Sequence, residues 1–213
     1  MTGFLPVQAA GEKPLVVIDA GHGGPDKGVK AVGGSLEKDV ALEMAEALEK
    51  ALANECRTTM TRTGDYELSP QKRASIANHK GADLFISIHA GGFFRTGRQC
   101  WELYYFASKN GIAGQEGTAG DCCWYRVQMK HLKASRHFAG ILQSHLQACP
   151  GVESVRATEA PLLLLEGLDM PGIVVETGYL TNPALESRLN EAEFLRDAAG
   201  CIQRGIAAFF REH

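Results

Sequence analysis

Three polar residues stand where apolar runs end, and their types suit metal-assisted hydrolysis. His22 follows the run in "VVIDAGHGGPDKG", His89 closes "DLFISIHA", and Glu176 closes "GIVVE". A fourth candidate, Glu37, opens the helical pattern "SLEKDVALEMA" and would sit beside His22 if the intervening loop folds back. Neutral imidazole nitrogens and a carboxylate oxygen suit a borderline ion such as zinc, and three protein ligands leave a position for water. A second carboxylate near that water can act as general base. Each residue also has an ordinary reading. Glu37 can be an acid favoured by the helix dipole, and His89 a hydrogen-bonded core histidine. Glu176, behind Ile173, Val174 and Val175, is harder to dismiss, because a carboxylate there is costly unless paired or metal-bound.

The glycine-rich turn around His22 invites a phosphate-binding reading, which fails on its motifs. Nothing matches G-x-x-x-x-G-K-[ST], and the third glycine of G-x-G-x-x-G would fall on Asp26. The helix also begins only near Leu36, too late for a dinucleotide loop.

The elements that must position these residues alternate. "PLVVIDA", "CRTTMTR", "DLFISIHA", "QCWELYYFA", "PLLLL" and "GIVVE" read as strands. Leu36, Val40, Met44 and Leu48 recur every four residues and predict a helix over about Leu36 to Ala53, with Ser35 as N-cap. Ser69, Pro70 and Gly81 cap, open and stop a second helix. Trp124 to Ala148 reads as a third, Asn182-Pro183 opens a short one, and Glu191 to Arg211 closes the chain. The pattern predicts an α/β fold: a single domain with a twisted, mostly parallel sheet of about six strands, flanked by helices on both faces. Along the third strand Phe85, Ser87 and His89 share one face, and Leu84, Ile86 and Ile88 the other. Parallel strands would bring the terminal polar residues to one edge, where such sheets bind ligands.

The chain has 213 residues, 45% hydrophobic and 22% charged, with a net charge of −3. A packed core is expected, and nothing in the charge points to nucleic acid. No apolar stretch is long enough to span a bilayer. Residues 1–13 read as a linker or a start left by truncation, with the domain over 14–213. Ser108 to Asp121 is glycine-rich and reads as a loop or insertion. Six cysteines include no C-x-x-C pair. Cys56 and Cys201 read as buried thiols, and Cys122-Cys123 could bridge elsewhere, Cys100 being one candidate.

Five blocks, "VVIDAGHGGPDKG", "SLEKDVALEMA", "TRTGDYELSPQKRASIAN", "ADLFISIHA" and "DMPGIVVETGYLTNP", occur in the order in which they resemble the zinc-dependent N-acetylmuramoyl-L-alanine amidases of the amidase-3 type. The resemblance runs from about Pro14 to the C-terminus. It implies one Zn2+ held by His22, Glu37 and His89, with Glu176 as the catalytic acid–base. It implies peptidoglycan as substrate, a glycan strand bearing stem peptides, and a location in the cell envelope, periplasmic or extracellular. A monomer is expected. Arg156 aligns with a family arginine before "PLLLL" and would meet a stem-peptide carboxylate or form a surface pair. Gly91 stands where the family often has Asn, a difference expected to alter substrate contacts. Trp101, Tyr104, Phe93 and Phe94 would line the groove or pack in the core.

The insertion around residues 109–130 has no counterpart in short family members. In some cell-division amidases a comparable segment covers the site until an activator protein removes it. Glu116 or Asp121 would then occupy the zinc's open position, whereas a solvated loop or substrate lid is the alternative. Two other functions compete: a non-catalytic cell-wall-binding domain, and a zinc carboxypeptidase acting within the stem peptide.

Overall fold

The computed structural model describes residues 12–92, 100–107 and 127–212. The strands are β1 (Leu15–Ala20), β2 (Arg57–Met60), β3 (Leu84–Gly91), β4 (Trp101–Phe106), β5 (Val155–Ala160) and β6 (Gly172–Tyr179). The helices are α1 (Glu37–Leu52), α2 (Pro70–Lys80), α3 (Leu132–Gln147), α4 (Pro183–Leu189) and α5 (Ala192–Arg211). The sheet order is β2-β1-β3-β6-β4-β5. Every pairing is parallel except β4 with β6. The chain leaves β1 for β2 on one side and returns to β3 on the other, a topological switch where ligands bind such sheets.

Strand parity sorts the core into two layers. Val16, Ile18, Ile86, Ile88, Ile173 and Val175 face α1, α3 and α5, meeting Met44, Leu48, Phe138, Leu142, Ile202 and Phe209. Phe85, Val174 and Phe106 face the other way, under α2 and the turn that carries Leu165, Leu168 and Met170. All of β1 is buried, as a central strand must be. Together these layers remove most large apolar side chains from water, the main term favouring the fold.

Several details differ from the expectations. "PLLLL" is a turn, and the edge strand is the preceding "VRATEA", so Arg156 lies within β5. Pro161 cannot donate to a ladder, and Leu165 is buried under the sheet instead of within it. The helix expected over Trp124–Ala148 breaks at Lys130–His131, and α3 starts at Leu132. Leu36, not Ser35, is the N-cap of α1. Ser35 is engaged by α4 and its C-cap: its N–H donates to Glu186 Oε1 (3.1 Å), and its hydroxyl accepts from Asn190 Nδ2 (3.0 Å). The caps of α2 match: Ser69 accepts from the Lys72 N–H at 3.2 Å, and Gly81 adopts φ +61°. Cys201 is not a free thiol, because it forms a disulfide with Cys149 on the α3–α5 side. Cys56 and Cys100 are free and buried, so Cys100 makes no bridge; Cys122 and Cys123 lie outside the described residues.

Candidate metal and acid–base site

The loop after β1 is held from beneath by two buried arginines. Arg62 donates to the carbonyls of Ala20 (2.9 Å), Gly21 (2.8 Å) and Lys38 (2.7 Å). Arg73 donates to the carbonyls of Ala20 (2.5 Å), His22 (2.7 Å) and Leu68 (3.0 Å), and to Asp19 Oδ1 (2.7 Å). Asp19 is fully buried and also accepts from Thr61 (2.5 Å) and Ser87 (2.6 Å), so its charge is paired and its oxygens satisfied. This network compensates the carbonyls of a turn in which His22 takes φ +59°, the left-handed region that a non-glycine residue rarely adopts. The strained turn aims the imidazole over the end of the sheet.

There His22, Glu37 and His89 converge. One ligand atom from each lies within 4.8 Å of the others. His22 Nε2 is 3.0 Å and His89 Nδ1 3.1 Å from Glu37 Oε1. His22 Nδ1 donates to Asp26 Oδ2 at 2.8 Å, which leaves Nε2 free to bind an ion. Glu37 enters from the first turn of α1; its Oε2 accepts from Val29 N–H (2.8 Å) and its Oε1 from Ala90 N–H (3.2 Å). Gly28 makes this approach possible. A Cβ there would stand 2.5 Å from Glu37 Oε2 and 2.7 Å from His22 Cδ2.

The electrostatics fit an ion-binding cluster. Burial alone would lower the His22 pKa, but hydrogen bonds to and charges on Glu37 and Asp26 raise it to about 8. Burial would raise Glu37; the hydrogen bonds of His22 and His89, the His89 charge and the Val29 N–H outweigh it and hold the carboxyl well below its usual range. A cation replacing protons here meets a ready-made anion.

Glu176 is the direct strand neighbour of His89. Burial pushes its pKa up, against the lowering charge of His89, with the carboxylates Glu37 and Glu102 adding to the rise. Gly91 lies against this carboxylate, and a Cβ there would stand 2.9 Å from Oε2. The lack of a side chain at Gly91 therefore leaves room for the Glu176 carboxylate. Glu176 Oε2 is buried and has no hydrogen-bond partner among the described residues, which is where a polar ligand or water belongs. Two imidazoles and a carboxylate with this unpaired oxygen nearby have the composition of a catalytic zinc site.

Of the other expected residues, Arg156 is exposed on β5 and Tyr104 half-buried on the site's face of β4. Trp101 is buried in the α-covered core and lines no groove. Phe93, Phe94, Glu116 and Asp121 lie outside the described residues. The residues not anticipated are Asp19, Arg62, Arg73 and Asp26. Asp19 carried the same signal as Glu176, a carboxylate inside an apolar strand. A cavity of about 740 Å³ between α2 and the Leu163–Gly167 turn contains none of the candidate metal or acid–base residues.

Known proteins share this sequence pattern and fold. The family described as N-acetylmuramoyl-L-alanine amidase matches residues 16–208. The amidase AmiA of Salmonella typhimurium is 29% identical over 94% of this chain and 77% of its own length. The solved structure of the amidase AmiC2 of Nostoc punctiforme is 30% identical, with a TM-score of 0.70 over 94% of this chain and 98% of that one. The catalytic domain of CwlV from Paenibacillus polymyxa superposes with a TM-score of 0.75 at 26% identity, over 93% of this chain and 98% of that one. The match extends from β1 through α5, and the chain belongs to the N-acetylmuramoyl-L-alanine amidase family.

Proposed function

We propose that the protein hydrolyses the amide between the lactyl group of N-acetylmuramic acid and the L-alanine of the peptidoglycan stem peptide. His22, Glu37 and His89 would hold one zinc ion, and Glu176 would act as acid–base. The observation that carries this reading is the convergence of a two-histidine, one-carboxylate set beside the unpaired, buried oxygen of Glu176. A bound zinc ion would supply a water of lowered pKa, from 15.7 to about 7, and polarise the amide carbonyl.

The chain's own groups supply the rest. Asp26 fixes the His22 tautomer, and Arg62 and Arg73 fix the backbone that presents it. Glu176 takes a proton from the attacking water. As the C–N bond breaks, it passes that proton to the amide nitrogen, which leaves as the alanine amine. A carboxyl raised by burial suits both roles near neutral pH. Gly91, lacking a side chain, leaves room for the Glu176 carboxylate, and Arg156 is assigned to a carboxylate of the stem peptide.

The cell envelope is the proposed location. The Cys149–Cys201 disulfide supports it, since such bonds persist mainly in oxidising compartments. Product analysis on purified peptidoglycan tests the reaction. Intact stem peptides with a free alanine amine, together with lactyl-bearing glycan strands, are expected. Released terminal amino acids would instead identify a carboxypeptidase, and no turnover with zinc bound would indicate a binding domain.

A further inference from the structure

His89, Glu176, Glu102 and Arg156 form one row across four adjacent strands, each the direct partner of the next. Partners in register point to the same face, so all four side chains share the face that carries the site. Tyr104, two residues along β4, donates its hydroxyl to Glu102 Oε2 and orients that carboxylate. Glu102 stands directly opposite Glu176, a like-charge pairing that disfavours the sheet. Neither Glu102 nor Arg156 has an ion-pair partner among the described residues. The row thus presents a half-buried carboxylate and an exposed guanidinium next to each other.

Its position relative to Glu176 gives the row a direction. Glu176 protonates the leaving nitrogen, so the leaving peptide lies on the Glu176 side of the His22–Glu37–His89 cluster, over β4 and β5. Strands are about 4.8 Å apart, so Glu176 to Arg156 spans about 10 Å. An amino-terminal dipeptide with a free carboxylate on its second residue spans about 7 Å when extended, and the long Arg156 side chain closes the remainder.

We propose that Glu102 contacts the amine of the leaving peptide, beside the Arg156 already assigned to a carboxylate of that peptide, so that Glu102 sets the amino-terminal end of the peptide subsite. The inference rests on the amidase reading above. The nitrogen receives its first proton from Glu176 as the C–N bond breaks. The liberated amine then takes a second proton from solvent, and the resulting ammonium pairs with Glu102.

Calorimetric titration of the zinc-loaded protein with the soluble peptide released from digested peptidoglycan, and with its N-acetylated form, tests this. N-acetylation should weaken binding to the wild type roughly 10- to 100-fold, as expected for losing a charged hydrogen bond. Glu102→Gln still offers Tyr104 an acceptor. It should bind the free peptide as weakly as the wild type binds the acetylated one, with the acetylated affinity unchanged. Arg156→Gln should weaken both peptides alike. The subsite is overturned if the wild type does not discriminate, if Glu102→Gln still discriminates, or if Glu102→Gln loses both peptides equally. A wild type that fails to cleave peptidoglycan would overturn the amidase reading; one that cleaves it without discriminating between the peptides overturns only the subsite.

Discussion

Arg73→Lys separates the positioning of His22 from simple charge balance. Arg73 is 4% exposed and serves four acceptors at 2.5–3.0 Å: Asp19 and the carbonyls of Ala20, His22 and Leu68. Lysine keeps the positive charge beside Asp19, so the cost of an unpaired buried carboxylate does not arise. Its single nitrogen cannot span the guanidinium's fork, and two of the three carbonyls lose their donor. At roughly 1.5 kcal/mol for each bond to a charged group, the loss is about 3 kcal/mol. The His22 turn, held at φ +59° against its own preference, is then free to relax. Zinc affinity should fall about 10- to 100-fold, as for loss of an outer-shell partner. Urea unfolding of the metal-free protein measures the first quantity, and competition with a chromogenic chelator the second. A variant that is less stable but binds zinc as tightly as the wild type refutes the positioning role.

Three further outcomes follow from named contacts. The raised pKa of His22, about 8 against an ordinary 6.5, stabilises the metal-free fold fully below pH 6.5, and this contribution is lost as pH rises through 8. Urea unfolding in chelator should therefore show about 2 kcal/mol less stability at pH 9 than at pH 6, absent in His22→Gln; equal stabilities would refute it. Gly28→Ala should abolish tight zinc binding, because its Cβ meets Glu37 and His22, whereas Gly34→Ala, also at positive φ but with nothing within 4 Å, should keep it. Equal zinc affinities in these two variants would contradict the close-approach argument. Replacing Cys149 and Cys201 together by Ser opens a loop of sequence separation 52, which should cost about 4 kcal/mol by the chain-entropy estimate. Zinc content should not change, and a stability unchanged in urea unfolding would argue against the bridge.

Where local chemistry decides the structure, the sequence is transparent. Ser69, Pro70 and Gly81 specify both ends of α2, and four-residue spacing specifies the buried face of α1. The meeting of His22, His89 and Glu176 at one edge was legible because each follows or closes an apolar run, and parallel pairing brings the ends of those runs together. What was not legible depended on tertiary partners. Ser35 looks like a cap, yet Glu186 and Asn190 claim it from 151 and 155 residues away. "PLLLL" has strand composition, but the polar "VRATEA" takes the sheet edge, because an edge strand needs only one apolar face. Cys201 sits among apolar neighbours, and nothing local reveals that Cys149 faces it across the α3–α5 contact. Asp19 was readable in principle, but its partners Thr61, Arg73 and Ser87 come from three separate segments.

The most direct test of the central claim measures zinc stoichiometry and turnover on purified peptidoglycan together, for the wild type and Glu176→Gln. The expected result is one zinc per chain in both proteins, with turnover of the variant reduced at least 10²- to 10⁴-fold, as for loss of a general acid–base. Full activity in zinc-loaded Glu176→Gln, or a wild type that turns over peptidoglycan without a bound metal, would contradict it.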